Sequence, residues 1–180
     1  MVTASLHVPI AESCINNKKN MVTASYISPE MESLNQAAIS ADILILNEIG
    51  LDPGLDHLAA MKVIEECKKN GEVIESFVSW CGGLPAPESA TSNPFGYKFS
   101  WSPRGVLIAA QNSAKYLEEG EIKEISGKDL LISAKEVKNF HPVLMFEGIP
   151  NRDSLKYKKL YGLKDAKTMF RGTLRYKVNI

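Results

Sequence analysis

The residues best equipped for chemistry in this 180-residue chain are a few arginines, two polar segment ends and one cysteine. Only four arginines occur, Arg104, Arg152, Arg171 and Arg175, beside seventeen lysines, and all four lie in the second half. Lysine suits the solvated surface, whereas the planar guanidinium grips carboxylates at two points and is less strongly hydrated. Arg104, in Trp101-Ser102-Pro103-Arg104-Gly105, stands at the mouth of a helix beside an aromatic residue. There it reads either as a carboxylate-binding residue or as a plain salt-bridge partner. Arg152 beside Asp153 reads as a structural turn pair. Arg171 and Arg175 share one strand face and read as a solvated or interface edge.

Asp52-Pro53-Gly54 has the chemistry of a helix start, with Asp52 as the cap and Pro53 at the first position. It follows a buried strand, where α/β proteins bind ligands, and a helix N-terminus attracts anions. Asp52 partly fills such a site, so ligand binding and simple capping both remain open. Ala24-Ser25-Tyr26 closes an earlier strand, and its two hydroxyls are polar handles facing a ligand crevice or ordinary turn residues. Cys81, before Gly82-Gly83, is a conceivable nucleophile with His57 as its base, although a strand-end cysteine is usually a small buried hydrophobe.

Other signals narrow the field. Cys14, Cys67 and Cys81 are odd in number and widely spaced, which fits reduced thiols better than a disulfide framework. The three histidines are scattered, and no CxxC, HExxH, Walker A or GxGxxG motif occurs, so no metal site is expected. A dinucleotide enzyme containing this chain needs its phosphate-binding turn elsewhere. Lysine plus arginine and aspartate plus glutamate number 21 each, which argues against nucleic-acid or membrane-surface binding. No apolar run approaches the roughly 18 residues of a membrane span.

The elements that must position these residues follow from periodicity. A short helix is expected over residues 8–18 and a strand over Met21–Tyr26. A helix opening at Ser28-Pro29-Glu30 places Met31, Leu34, Ala38 and Ala41 on one face. The unbroken run Ile43–Leu46 predicts a strand covered on both faces, as in a parallel sheet. Strand, helix and strand make a βαβ unit. The next helix turns His57, Ala60, Met61, Ile64 and Cys67 inward and closes at Lys68, Lys69 and Gly71. Beyond it come a strand over Glu72–Trp80 and a long irregular loop over residues 82–97. A helix-like run follows Gly105. A hairpin joins Lys115–Leu117 to Glu121–Ile125 through Glu119-Gly120. A strand over Val143–Gly148, a helix around Leu155–Tyr161 and a strand over Thr168–Tyr176 complete the chain. The organisation changes near residue 50, from parallel βαβ to a mixed sheet with hairpins. Met1–Ser5 repeats Met21–Ser25 letter for letter, and one five-residue copy is no repeat architecture.

Several long segments, taken together, resemble the glutamate-forming, NADP-dependent saccharopine dehydrogenases. They are Asn47–His57, Cys81–Glu88, Asn93-Pro94, Tyr97–Ser102, Pro150–Ser154 and Arg171–Tyr176. The strand from Met21 also resembles the animal form, where the activity is the second half of a bifunctional synthase. The resemblance implies an oxidoreductase of lysine metabolism that interconverts saccharopine with glutamate and α-aminoadipate semialdehyde using NADP. It implies an α/β fold: residues 1–49 as the closing part of an incomplete Rossmann-like NADP-binding domain, and residues 50–180 as an inserted mixed-sheet domain for substrate binding and dimerisation.

By the same resemblance, Ala24, Leu51, Asp52, Pro53 and Gly54 fall at cofactor contacts, and Ser25, Tyr26, Arg104, Ile125, Ser126 and Gly127 at saccharopine contacts. No catalytic acid or base is assigned. A homodimer is implied for the full-length protein, in mitochondria for an animal-type bifunctional enzyme and in the cytoplasm otherwise. A non-catalytic substrate-binding or dimerisation module is the competing reading.

Overall fold

The computed structural model describes residues 2–90, 97–99, 102–138 and 141–177, and the chain divides into two units, Met1–Val63 and Ile64–Ile180. In the first, a 3-10 turn at Ala4–Leu6 leads into α1 (His7–Asn16). Ala11 of α1 is fully buried against Met21 and Met31, with Val8, Ile10, Cys14, Leu34 and Ile45 packed around them. β1 (Met21–Val22) and β2 (Ile45–Leu46) pair in parallel, Met21 opposite Ile45 and Val22 opposite Leu46. A parallel pair needs a crossover. It is supplied by α2 (Pro29–Ser33) and α3 (Asn35–Ser40).

Ser28 caps α2 as the sequence predicts: its backbone is extended and its hydroxyl accepts the Met31 N–H at 3.2 Å. The single helix expected here is interrupted at Leu34, whose N–H reaches the Met31 carbonyl three residues back in a tighter turn. The inner face survives the interruption, since Met31 and Ala38 are buried and Leu34 and Ala41 half-buried.

Two strand expectations need correction. β1 ends at Val22 rather than Tyr26, because the Ser25 N–H turns to the Thr23 hydroxyl. The run Ile43–Leu46 is covered on one face only. Ile45 joins the core, whereas Leu44 and Leu46 are 56% and 42% exposed, because α1 and α2 pack on the Met21–Ile45 side.

α4 (Leu55–Lys69) buries Ile64 and half-buries His57, Ala60, Met61 and Cys67, the face expected from their spacing. It stops where Gly71 takes φ +74° and the Glu72 N–H returns to the Cys67 carbonyl.

The second unit is built on a six-stranded mixed sheet. β3 (Ser76–Cys81) is followed by α5 (Pro87–Ala90), a short helix inside the stretch expected to be wholly irregular. Asn93-Pro94 and Ser100-Trp101, used in the sequence comparison above, lie outside the described residues. α6 (Pro103–Ala109) precedes the hairpin of β4 (Ala114–Glu118) and β5 (Glu121–Ile125). Glu119 and Gly120 both have positive φ, the turn that matches strand twist. β6 (Lys135–Val137) is too short and polar to show a strand pattern.

β7 (Phe146–Pro150) starts later than predicted, because the Val143 and Leu144 N–H groups turn to His141 Nδ1 instead of a neighbouring strand. α7 (Leu155–Leu160) and β8 (Thr168–Tyr176) follow. β8 pairs in parallel with β3, from Ser76 opposite Thr168 to Cys81 opposite Thr173, and antiparallel with β4 and β7.

β8 is therefore a central strand, which overturns the solvated-edge reading of Arg171. That residue is 5% exposed, with its guanidinium 4.2 Å from the centroid of the Tyr157 ring and its N–H donated to the Ser154 hydroxyl. Trp80 lies over Gly148 and Gly172 with Phe170 beside it and Tyr116 against Phe170; Trp80, Tyr116, Gly148 and Phe170 line a hollow of about 320 Å³. No helix among the described residues is long and apolar enough to cross a membrane.

Candidate functional site

In the first unit, the chain leaving β1 and the chain leaving β2 meet. Thr23 is 9% exposed; its hydroxyl accepts the Ser25 N–H and bonds His7 Nδ1, both at 3.2 Å. This turn presents Ala24, Ser25 and Tyr26. Beyond β2, the Gly50 N–H donates to the Pro53 carbonyl and the Leu55 N–H to that of Gly50. The resulting loop is so tight that a Cβ on Gly54 would sit 2.0 Å from the Gly50 oxygen, and Gly54 has φ +152°. A Cβ on Gly50 would touch that of Ala24 at 3.0 Å. Glycine at 54 allows the loop to close, and glycine at 50 leaves room for the Ala24 segment to approach.

The Tyr26 hydroxyl donates to Asp52 Oδ1 at 2.7 Å. The structure thus brings together the two predicted segments, Ala24–Tyr26 and Leu51–Gly54. It also corrects the predicted cap. Asp52 turns its carboxylate to Tyr26, α4 begins at Leu55, and Asp56 Oδ1 accepts the Gly54 N–H at 2.8 Å. The loop closed between Gly50 and Pro53 holds Pro53 outside the helix, so neither Asp52 nor Pro53 takes its expected capping position.

Three further groups complete this corner; Asn47 and Glu48 were not singled out from the sequence, and His57 was singled out only as a base for Cys81 and as an inward-facing helix residue. Glu48 Oε1 accepts the Ile27 N–H at 3.1 Å. His57 lies between two carboxylates, with Nε2 3.8 Å from Glu48 and Nδ1 3.8 Å from Asp56. The Asn47 amide nitrogen is buried with no hydrogen-bond partner among the described residues. A signal for Asn47 and Glu48 was available, since both follow directly on a parallel strand, where ligand-facing residues of α/β proteins fall.

In the second unit, Ser102 caps α6 by accepting the Gly105 N–H at 3.2 Å, and Arg104 stands exposed in its first turn. Ile125 is half-buried against Ala114, Leu130 and Ile149. Ser126 donates to Asp129 Oδ2 at 2.5 Å, and a Cβ on Gly127 would lie 1.8 Å from the Gln111 oxygen. Gly127 therefore abuts the chain just beyond the C-terminal end of α6. Arg104 marks the other end, about 10 Å away along the helix. Beside this contact the Asn112 amide nitrogen is buried with no partner among the described residues. Arg152 has φ +49°, and its carbonyl accepts the Lys115 N–H while Asp153 accepts that of Leu155, as a turn pair should. Cys81 is half-buried at the end of β3.

Comparison with known proteins adds an independent line. A family model described as the saccharopine dehydrogenase C-terminal domain matches residues 50–179. Saccharopine dehydrogenase (NADP(+), L-glutamate-forming) of Schizosaccharomyces pombe is 49% identical over 98% of this chain and 39% of its own length. Mitochondrial alpha-aminoadipic semialdehyde synthase of Rattus norvegicus is 49% identical over 96% of this chain and 18% of its own. The solved apo saccharopine dehydrogenase (L-Glu forming) from Saccharomyces cerevisiae superposes with a TM-score of 0.88 at 48% identity, covering 98% of this chain and 39% of that one. The chain thus spans well under half the length of the relatives it matches.

Proposed function

This chain belongs to the saccharopine dehydrogenase family, and on that footing we propose that it is the substrate-holding part of a glutamate-forming, NADP-dependent enzyme of lysine metabolism. Residues 1–49 contribute the closing βαβ part of a Rossmann-like cofactor domain. Residues 50–180 form the saccharopine-binding and dimerisation domain. The parallel β1–β2 pair with its helical crossover supports the first assignment, and the exposed Val78 beside the Trp80 hollow supports the second by leaving apolar surface to cover. The compartment follows the parent architecture: mitochondrial for an animal-type bifunctional enzyme, cytoplasmic otherwise.

The whole enzyme interconverts saccharopine with L-glutamate and α-aminoadipate semialdehyde, and NADP supplies or accepts the hydride. The residues present fit part of that cofactor. The buried, unpaired Asn47 amide is a donor suited to a polar ring substituent or a ribose oxygen. Ala24 and Leu51–Gly54 are the proposed walls. The sequence holds no GxGxxG turn to give a pyrophosphate its backbone donors.

Ser25 and Tyr26 are proposed saccharopine contacts, as are Arg104 and Ile125–Gly127. The Asn112 amide supports the second group, since a buried unpaired donor is what an incoming carboxylate satisfies. At Tyr26, the carboxylate of Asp52 accepts and the phenol donates, so an amine arriving there meets an anion and a polarised hydroxyl.

The observation that carries this reading is the Tyr26–Asp52 hydrogen bond, which joins the two segments assigned to substrate and cofactor. Calorimetric titration of the chain with saccharopine tests it. Binding of saccharopine, with no micromolar NADPH affinity and no turnover, is expected. A folded chain that ignores saccharopine, or binds NADPH tightly, overturns the assignment. The missing glycine turn favours a second reading for the isolated chain, a non-catalytic substrate-binding or dimerisation module, and an assay for NADPH oxidation separates the two.

A further inference from the structure

From the corner in the first unit we infer that His57 is a positioning residue: its imidazole bridges the carboxylates of Glu48 and Asp56 and so holds the Tyr26–Asp52 pair together. The inference deepens the function proposed above and rests on it for the identity of the ligand.

The argument is one of connectivity. Glu48 divides its two oxygens, Oε1 accepting the Ile27 N–H and Oε2 facing His57 Nε2. Asp56 divides its own in the same way, Oδ1 accepting the Gly54 N–H and Oδ2 facing His57 Nδ1. Ile27 directly follows Tyr26, and Gly54 lies two residues after Asp52. The imidazole is thus the shared neighbour of two carboxylates, each tied to the backbone close to one member of the Tyr26–Asp52 pair.

Burial makes the arrangement consequential. The side chains of Asp56 and His57 are 8% and 18% exposed, so neither contact is fully screened by water. The three side chains are not gathered closely enough to hold a metal ion. Without the ring, the two carboxylates lose the one side chain that neighbours both of them, and the segments they hold lose that link.

The test uses the full chain with tyrosine labelled at Cζ, and Tyr26→Phe identifies the Tyr26 resonance. In His57→Ala, the Tyr26 signal should move toward that of a solvated tyrosine, while those of Tyr157 and Tyr161 stay in place. Saccharopine affinity should fall about tenfold. Added imidazole should reverse both changes. An unmoved Tyr26 signal, or a shift that imidazole leaves untouched, overturns the inference. If His57→Ala does not fold, Glu48→Gln decides: a shifted Tyr26 signal supports the bridge and an unshifted one refutes it. The resonance requires no ligand. A native chain that fails to bind saccharopine therefore removes the function proposed above and leaves this test intact.

Discussion

Tyr26 and Asp52 are joined by a 2.7 Å hydrogen bond across 26 positions of sequence, from the turn after β1 to the loop before α4. The contact is part-buried, and the carboxylate accepts from a neutral hydroxyl. Tyr26→Phe should lower saccharopine affinity about tenfold, because the Asp52 oxygen loses a donor that water replaces poorly. Asp52→Asn should do the same. Titration calorimetry beside an unchanged far-ultraviolet spectrum checks both.

Gly54 and Gly71 both have positive φ but differ in their surroundings. A Cβ on Gly54 meets the Gly50 carbonyl, whereas one on Gly71 meets nothing within 4 Å. Gly71→Ala should therefore cost about 1 kcal/mol, from conformational strain alone. Gly54→Ala should cost about 3 kcal/mol or more, because backbone must move. Hydrogen exchange at the Met21 and Thr23 amides, both bonded to the β2 segment, reports the Gly54 effect. Urea denaturation reports that of Gly71.

Arg171 is buried over Tyr157, while Arg175 on the same strand is half-buried opposite Glu147. Arg171→Ala removes a stacked, desolvated cation and should destabilise the second unit by about 2–4 kcal/mol. Arg175→Ala should cost about 1 kcal/mol or less. Chemical denaturation of a Trp101→Phe background, followed by the fluorescence of Trp80, distinguishes them. Equal effects would mean that position in the sheet does not set the difference.

The Glu30 carboxyl is held below its ordinary value, first by a hydrogen bond from Ser28 and then by its own backbone N–H. A depressed carboxyl stabilises the folded state above its unfolded pKa, and the benefit is lost as pH falls through the folded value. Ser28 also accepts the Met31 N–H. Ser28→Ala should cost about 1 kcal/mol for the lost cap. That cost should be larger at neutral pH than below the carboxylate range, as measured by exchange of the Met31 amide across pH.

Much of this was legible in the sequence, for reasons that differ from place to place. The Ser28-Pro29 start, the hairpin at Glu119-Gly120 and the β8 span each rest on local chemistry, and each formed where that chemistry put it. The Ala24–Tyr26 and Leu51–Gly54 segments were recognised separately. Their meeting depends on parallel pairing of β1 with β2, which brings distant strand ends side by side. Two readings failed because a non-local partner outcompeted a local rule, and a third because a side chain two to three residues away took the N–H groups. Tyr26 claimed the Asp52 carboxylate that should have capped a helix. Three neighbouring strands made β8 central and buried Arg171. His141 drew Val143 and Leu144 out of β7. The clamp around His57 had no sequence signature, since Glu48 and Asp56 have no fixed spacing that marks them as neighbours of one ring.

Gly148 and Gly172 lie beneath Trp80, and a methyl group at either would come within 2.3 Å of the indole. The depth of that hollow is consequently set by what two positions lack. An alanine at either site would raise the ring like a wedge under a lid and leave a shallower surface for whatever settles there.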